Sequence, residues 1–477
     1  MKSTLFSQLP WICVGLLGLV GCTADERDFS SGSGGGGAGG AGGAGGAECS
    51  APVDCAAGPN ETATCLDGKC AIACSAGFAD CIAEDPGCET SATTRENCGA
   101  CGVVCATECS AKSPETPFCN DPIDISAGFN HTCVIRKDGT LWCWGRNLAG
   151  ELGIPGEKPH IFPTPVPLPG KAVKVAAGGG YGAQPNPAHT CVILEDTTVF
   201  CWGNGQYGQL GIGGSVSSPV PTQVTSLVNV AAIAAGARHT CAVKTDGDLY
   251  CWGDDAAGQI GNGMEPESLS NPGLILQGAK QVDAGEQHTC AVMLAGGLKC
   301  WGFNFEGALG TGDSTNRFTP ADAAPPLLDG VEEVAVGDRH TCARRNNEVY
   351  CFGNDYNGAC AANTWGPVLK PTLVAVPDVT QVGVGLERSG AVSGPKGLVK
   401  MWGVQPLGDG TSQLSGTPVE ATINGVARIA AGYQHTCALK TNGEVWCWGE
   451  DEDGQLGNGP ISDTQLTPVP VIWSVVE

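Results

Sequence analysis

The chain has 477 residues, enough for several domains, and only 16% of them are charged. Its 73 glycines and 31 prolines favour turns and short strands over long helices. The balance of 25 Lys plus Arg against 49 Asp plus Glu gives a formal net charge of −24. Such a chain is repelled by phosphate backbones, which are bound through clustered cations, so nucleic acid is excluded as the expected partner.

In chain order, the first segment is 1–21. Lys2 precedes an apolar run from Leu9 to Val20, too short to span a bilayer but the right size for the core of a signal peptide. Leu19-Val20-Gly21-Cys22 resembles the lipobox of bacterial lipoproteins. That resemblance implies lipidation of the Cys22 sulfur and export. Thr23, rather than an aspartate, implies an outer-membrane or cell-surface destination in a Gram-negative bacterium. The linker 22–47 is nearly pure glycine, alanine and serine from Ser30 onward. Ser30 to Ala47 reads as a flexible tether with a span of roughly 20–25 Å. The only expected membrane contact is the lipid.

The 27 cysteines separate by position. Cys13 leaves with the signal and Cys22 is the lipid site. Twelve lie between Cys49 and Cys119, twelve form spaced pairs after residue 130, and Cys360 is left over. Even numbers behind an export signal argue for disulfides formed in an oxidising compartment. Residues 48–120 carry little apolar material and are expected to be a small disulfide-rich module. Cys98, Cys101, Cys105 and Cys109 have zinc-like spacing, but the exported context favours bridges, and no metal or other cofactor is expected. Asn97-Cys98-Gly99-Ala100-Cys101-Gly102 resembles short cysteine-rich modules of exported myxobacterial proteins, which implies no particular function.

From residue 121 to 477 one pattern recurs seven times, starting 47 to 58 residues apart. It opens with His131, His189, His239, His288, His340 and His435, each followed by Thr-Cys; Arg388-Ser389-Gly390 opens the sixth copy. A short strand, a polar turn and Cys-Trp-Gly follow, with Phe352 replacing tryptophan in the fifth copy. Then come a second turn, Gly-x-Leu-Gly and a proline-led strand. Several short strands in about 50 residues imply an all-β propeller of seven blades, four strands each. Cys437 and Cys447 are equidistant from Asn442, within the turn Thr441-Asn442-Gly443. A three-residue hairpin loop with glycine in the left-handed position sets such residues directly opposite each other. Asn346-Asn347 preserves the opposition where the pair is one residue closer. Cα atoms about 4.5 Å apart are within disulfide reach. Six cross-strand bridges are expected: Cys133–Cys143, Cys191–Cys201, Cys241–Cys251, Cys290–Cys300, Cys342–Cys351 and Cys437–Cys447. The sixth copy lacks both partners together. Segment 467–476 is expected to supply the proline-led strand missing before Ile123, closing the ring.

The phrase Ala-Ala-Gly-x-x-His-Thr-Cys-Ala-Leu, followed by Trp-Gly-x-Asn and Gly-Gln-Leu-Gly, resembles the regulator of chromosome condensation repeat family. The resemblance implies a seven-bladed propeller. Nuclear members promote nucleotide exchange on a small GTPase, and a secreted bacterial member inhibits β-lactamases. Export and acidity argue against a cytosolic GTPase or chromatin here; the cysteine pairs resemble the exported members.

One histidine per blade is expected to be structural. The letters of a dinucleotide fingerprint at Gly203–Gly208 are explained by the repeat, since no βαβ unit surrounds them. The run from Glu450 to Asp453 lacks calcium-loop spacing and reads as a solvated turn. No nucleophile–base set stands outside the repeat, so no catalytic residue is expected. The variable residues between Trp-Gly and Gly-x-Leu-Gly should share one face. They include Arg146, Leu148, Gln206, Tyr207, Asp255, Phe303, Phe305, Glu306, Tyr356 and Glu452. Aromatics beside charges suit a protein-binding centre. Gly179 to Ala188 is an insertion suited to decorating a binding loop. The expectation is a monomeric, non-enzymatic scaffold for a protein or glycan. The alternatives are an inhibitor of an extracellular enzyme and a lyase or hydrolase with its site at the propeller mouth.

Overall fold

The computed structural model describes residues 121–473, apart from 181–187, 265–267 and Leu328, together with short strands between Glu61 and Cys119. The expected signal peptide, Cys22 and the expected glycine-rich tether lie outside the described residues, as do the bridges expected between Cys49 and Cys119 and most of the insertion after Gly179. The chain divides into two compact units. In the first, Glu61–Leu66 pairs with Lys69–Cys74 and Phe78–Ala79 with Thr90–Ser91, both antiparallel.

The second unit is a ring of seven four-stranded antiparallel sheets, and no helix occurs among the described residues. Each blade is one sequence repeat, its strands running a to d from the central channel outward. Blade 1 has Pro122–Ala127, His131–Arg136, Leu141–Gly145 and His160–Pro165. Blade 7 has Val426–Ala431, His435–Lys440, Val445–Gly449 and Gln465–Pro470. The expected composite closure is therefore corrected. Gln465–Pro470 pairs with strand c of its own blade, and blade 1 has its own outer strand. Closure comes from packing: Trp144, Ile125 and Val134 of blade 1 share a core with Cys437, Leu439 and Leu456 of blade 7.

The hairpins set the register as their turn chemistry dictates. Gly443 has φ +86°, and its N–H donates to Lys440 O at 3.0 Å. Asn346 and Asn347 both have positive φ, as a two-residue hairpin turn requires. Cys437 opposes Cys447 and Cys342 opposes Cys351. All six cysteine pairs are joined in the structure, with Cα atoms 4.1–4.2 Å apart. In blade 6 Gly390 opposes Met401 instead. A Cβ on Gly390 would stand 2.2 Å from the Met401 sulfur, so the thioether fills the room that two cysteines occupy elsewhere. Cys360 is buried in the leucine slot of its repeat.

Neighbouring blades are joined by a repeated polar joint. At the boundary of blades 2 and 3, the carbonyl of Gln209 accepts from Thr240 Oγ1 and from Trp252 Nε1, each at 2.8 Å. His189 Nε2 lies 2.8 Å from the same threonine oxygen. Thr240 has one hydroxyl proton and gives it to the carbonyl, so His189 must be the donor through Nε2–H. The six histidines thus carry the structural role expected of them, as links between adjacent blades. Two glycines make the joint possible. A Cβ on Gly211 would meet Trp252 Nε1 at 2.6 Å, and one on Gly178 would meet Gly236 O at 2.4 Å.

Burial lowers the pKa of His131, His239, His288 and His435 to about 3, with smaller contributions from neighbouring cationic or imidazole groups. The unfolded chain therefore takes up protons on these residues below about pH 6.5 while the folded chain does not, a loss of stability as pH falls. Asp283, raised to about 7 by burial, acts in the opposite sense, since its folded form binds the proton first. Global stability against pH mixes the two, so single residues are the clean measure. In an NMR titration the four histidines should keep unchanged neutral imidazole signals from pH 7 to about 4.5. His160, only half-buried, should titrate above them. Titration of the ladder histidines near 6.5 would contradict the buried joint.

Candidate binding face

In a four-stranded meander the a–b and c–d connections open at the same end. The Gly-x-x-His turns therefore ring the channel mouth, and the Trp-Gly to Gly-x-Leu-Gly loops form an outer ring on the same face. The second residue after Trp-Gly belongs to the framework. Asn147, Asp255, Asn304, Asp355 and Asp451 each accept, through a side-chain oxygen, the backbone N–H five residues on, at 2.9–3.2 Å. The next residue points away from the blade.

This alternation sorts the sequence candidates. Phe305 (71% exposed), Tyr356 (53%) and Leu148 (52%) project from the face. Gln206 and Glu452 are also exposed. Phe303 is half-buried, its ring 6.4 Å from that of Phe305. Tyr207 is half-buried beneath Arg238, whose guanidinium carbon stands 4.8 Å from the ring centre. Arg146 departs from expectation: its Nε lies 3.8 Å from the buried Glu151 carboxylate, which draws the side chain down into the loop. Asp255 and Glu306 are buried, Asp255 as a loop acceptor and Glu306 as partner of Asn354 Nδ2 at 3.0 Å. The acidic run from Glu450 to Asp453 is also not uniformly solvated. Asp451 is buried, and Asp453 accepts from Asn130 Nδ2 at 2.7 Å.

Two features of the face went unread in the sequence. Exposed apolar side chains continue beyond Gly-x-Leu-Gly: Val216, Met264, Trp365, Leu414 and Ile461. The signal available was their place in the same loops, on the far side of the leucine. The mouth, set by the residues after the repeat's glycine, is divided between apolar and acidic character. Phe129 and Tyr433 pack with ring centres 4.2 Å apart. Across the ring, Asp338 neighbours Glu286; burial first, then that carboxyl, pushes its pKa well above the carboxylate range.

The mouth opens onto a channel of about 680 Å³ lined by the inner strands. Its walls are occupied by structural pairs. Gln281 and Gln381 hold the backbones of Val334 and Ile429, Asp283 accepts from Val336 N at 2.7 Å, and Asp124 is paired with Arg428 and Lys174. The first three satisfy backbone groups on inner edges that lack a neighbouring strand. Among the described residues no group of three or more His, Cys, Asp or Glu is arranged to hold a metal ion. The geometry is that of a rigid ring presenting a varied, acidic and partly apolar surface.

The architecture defines an all-β, seven-bladed propeller with one decorated loop face. A family profile described as the RCC1-like domain matches residues 92–422, and profiles of the regulator of chromosome condensation (RCC1) repeat match 426–455 and 442–475. The chain belongs to the RCC1-like domain family. It is 28% identical over 364 residues to the mitochondrial RCC1 domain-containing protein RUG3 of Arabidopsis thaliana, covering 73% of this chain and 70% of that one. It is 34% identical over 113 residues to the human E3 ubiquitin-protein ligase HERC2, covering 23% of this chain and 2% of that much longer protein. The yeast RCC1 protein Prp20, solved bound to Kap60, shares the fold with a TM-score of 0.61 at 21% identity, covering 74% of this chain and 84% of that one.

Proposed function

We propose that this chain is a non-enzymatic binding propeller, carried outside the cytoplasm on a lipid at Cys22, that holds a protein partner on its a–b and c–d loop face. One observation carries the reading. In a frame whose polar atoms recur from blade to blade, the outward residue of each c–d loop differs, from Leu148 and Gln206 to Phe305, Tyr356 and Glu452. Framework positions repeat because packing demands it, whereas exposed aromatics beside carboxylates are the chemistry of protein contact. Prp20, a propeller of the same fold, was solved in complex with a protein, which supports the reading by analogy.

Affinity capture with the full chain tests the face. Phe305→Ala with Tyr356→Ala should weaken a stoichiometric partner at least about tenfold. A control at Lys137, in the b–c turn at the opposite end, should leave binding unchanged. Loss through the control alone would place the interface elsewhere, and turnover without a stable complex would favour an enzyme. Cys22→Ser should release the protein from membranes into the soluble fraction; persistent membrane association would refute the anchor.

A further inference from the structure

The repeated joint fails at one place, the boundary of blades 6 and 7. Arg388 replaces histidine there, and Pro406 stands where other blades have the residue whose carbonyl serves as acceptor; its carbonyl accepts from neither Thr436 nor Trp448. Thr436 Oγ1 and Trp448 Nε1, which correspond to Thr240 and Trp252, are fully buried and have no hydrogen-bond partner among the described residues. The Arg388 side chain is also enclosed, with the residue only 1% exposed. Its Nη2 donates to Tyr433 O at 3.1 Å, but Nε and Nη1 have no acceptor.

The repeat locates these groups relative to one another. In the intact joints one carbonyl oxygen accepts from both the threonine and the tryptophan, and the histidine position meets the same threonine. By the correspondence of the repeat, the Thr436 hydroxyl and the Trp448 indole N–H face the point that the carbonyl holds in the intact joints, and Arg388 occupies the histidine's position on the same boundary. Each can donate, and one carries a full positive charge. Burial lowers the Arg388 pKa to about 10, and the charges of Glu450 and Glu387 oppose that shift. A buried, unmatched cluster of donors is costly unless an acceptor satisfies it. Water would have to find acceptors for its own two protons, whereas a small anion needs donors alone.

We propose that the boundary of blades 6 and 7 is a binding site for a small monovalent anion of chloride size, held by Arg388, Thr436 and Trp448. The anion takes the role that a backbone carbonyl plays in the other joints, and it ties together the one pair of blades that lacks the histidine link.

The full chain, with its disulfides intact, should melt about 2–4 °C higher in saturating chloride or bromide than in gluconate of equal ionic strength. Arg388→His, which restores the residue of the other blades, should abolish that difference. Thr436→Val, which keeps the arginine, should reduce it. Crystals grown in bromide should show an anomalous peak within hydrogen-bonding distance of Arg388 and Trp448. Identical melting of the natural protein in both salts would overturn the site. So would equal halide dependence in Arg388→His, or ordered density there without anomalous signal.

Discussion

Reduction of the propeller's disulfides should collapse its stability rather than trim it. Each bridge closes a short hairpin, with partners 9 or 10 residues apart. The chain-entropy model gives each such loop roughly 2–3 kcal/mol, and six together about 15 kcal/mol. That sum is as large as the whole net stability of an ordinary domain. The twelve sulfurs are almost wholly buried, so reductant should leave them untouched while the ring is folded. Protein unfolded, reduced, alkylated and returned to buffer should fail to recover the native circular dichroism spectrum at 37 °C. With disulfides intact, unfolding and refolding should restore it. Peptide mapping of alkylated cysteines reports which bonds opened, separating the propeller pairs from the cysteines between Cys49 and Cys119. A reduced propeller that melts within a few degrees of the oxidised one would show that burial, not the covalent links, dominates. Blade 6 is the internal control. There Gly390 and Met401 pack without any bond, so the fold tolerates one such blade inside a ring of six linked ones.

Much of this architecture was legible because the repeat aligns seven independent copies of one solution. The opposition of Cys437 and Cys447 followed from turn length and a single glycine, both local facts. What stayed hidden depends on contacts between repeats. Nothing local in Gln465–Pro470 says whether it completes the last blade or the first; the two arrangements have the same strands and differ only in where the ring is cut. The fate of Asp255 was equally unreadable, because an aspartate in a polar turn looks solvated until its oxygen is seen holding Ile260 N at 2.9 Å. Arg146 looked like a surface cation for the same reason, with its partner Glu151 five residues on. On the loop face, Phe305 and Tyr356 could be found from the sequence because they break the repeat at an outward position. The carboxyl pair of Glu286 and Asp338 could not, since it exists only when two neighbouring blades are curled together.

The indole joint offers the second large effect. Trp252 is fully buried and its N–H donates to Gln209 O, so Trp252→Ala removes the largest side chain at that boundary and should cost about 3–5 kcal/mol. Phenylalanine separates packing from hydrogen bonding. Trp252→Phe forfeits one buried bond, worth about 1 kcal/mol, while Gln209 O keeps Thr240. Trp448→Phe, measured in gluconate, forfeits none, because that N–H meets no acceptor among the described residues. Deleting an unmatched buried donor recovers part of its desolvation cost, so Trp448→Phe should be the milder change by about 1–2 kcal/mol. Blade 5 already carries the substitution naturally in Phe352, with Thr341 Oγ1 still donating to Ala308 O at 2.9 Å. Denaturant midpoints of the three variants, with slopes held constant, decide the matter. Equal costs for Trp252→Phe and Trp448→Phe would mean that the carbonyl at the intact boundary contributes nothing, and that the boundary of blades 6 and 7 is no different from its neighbours.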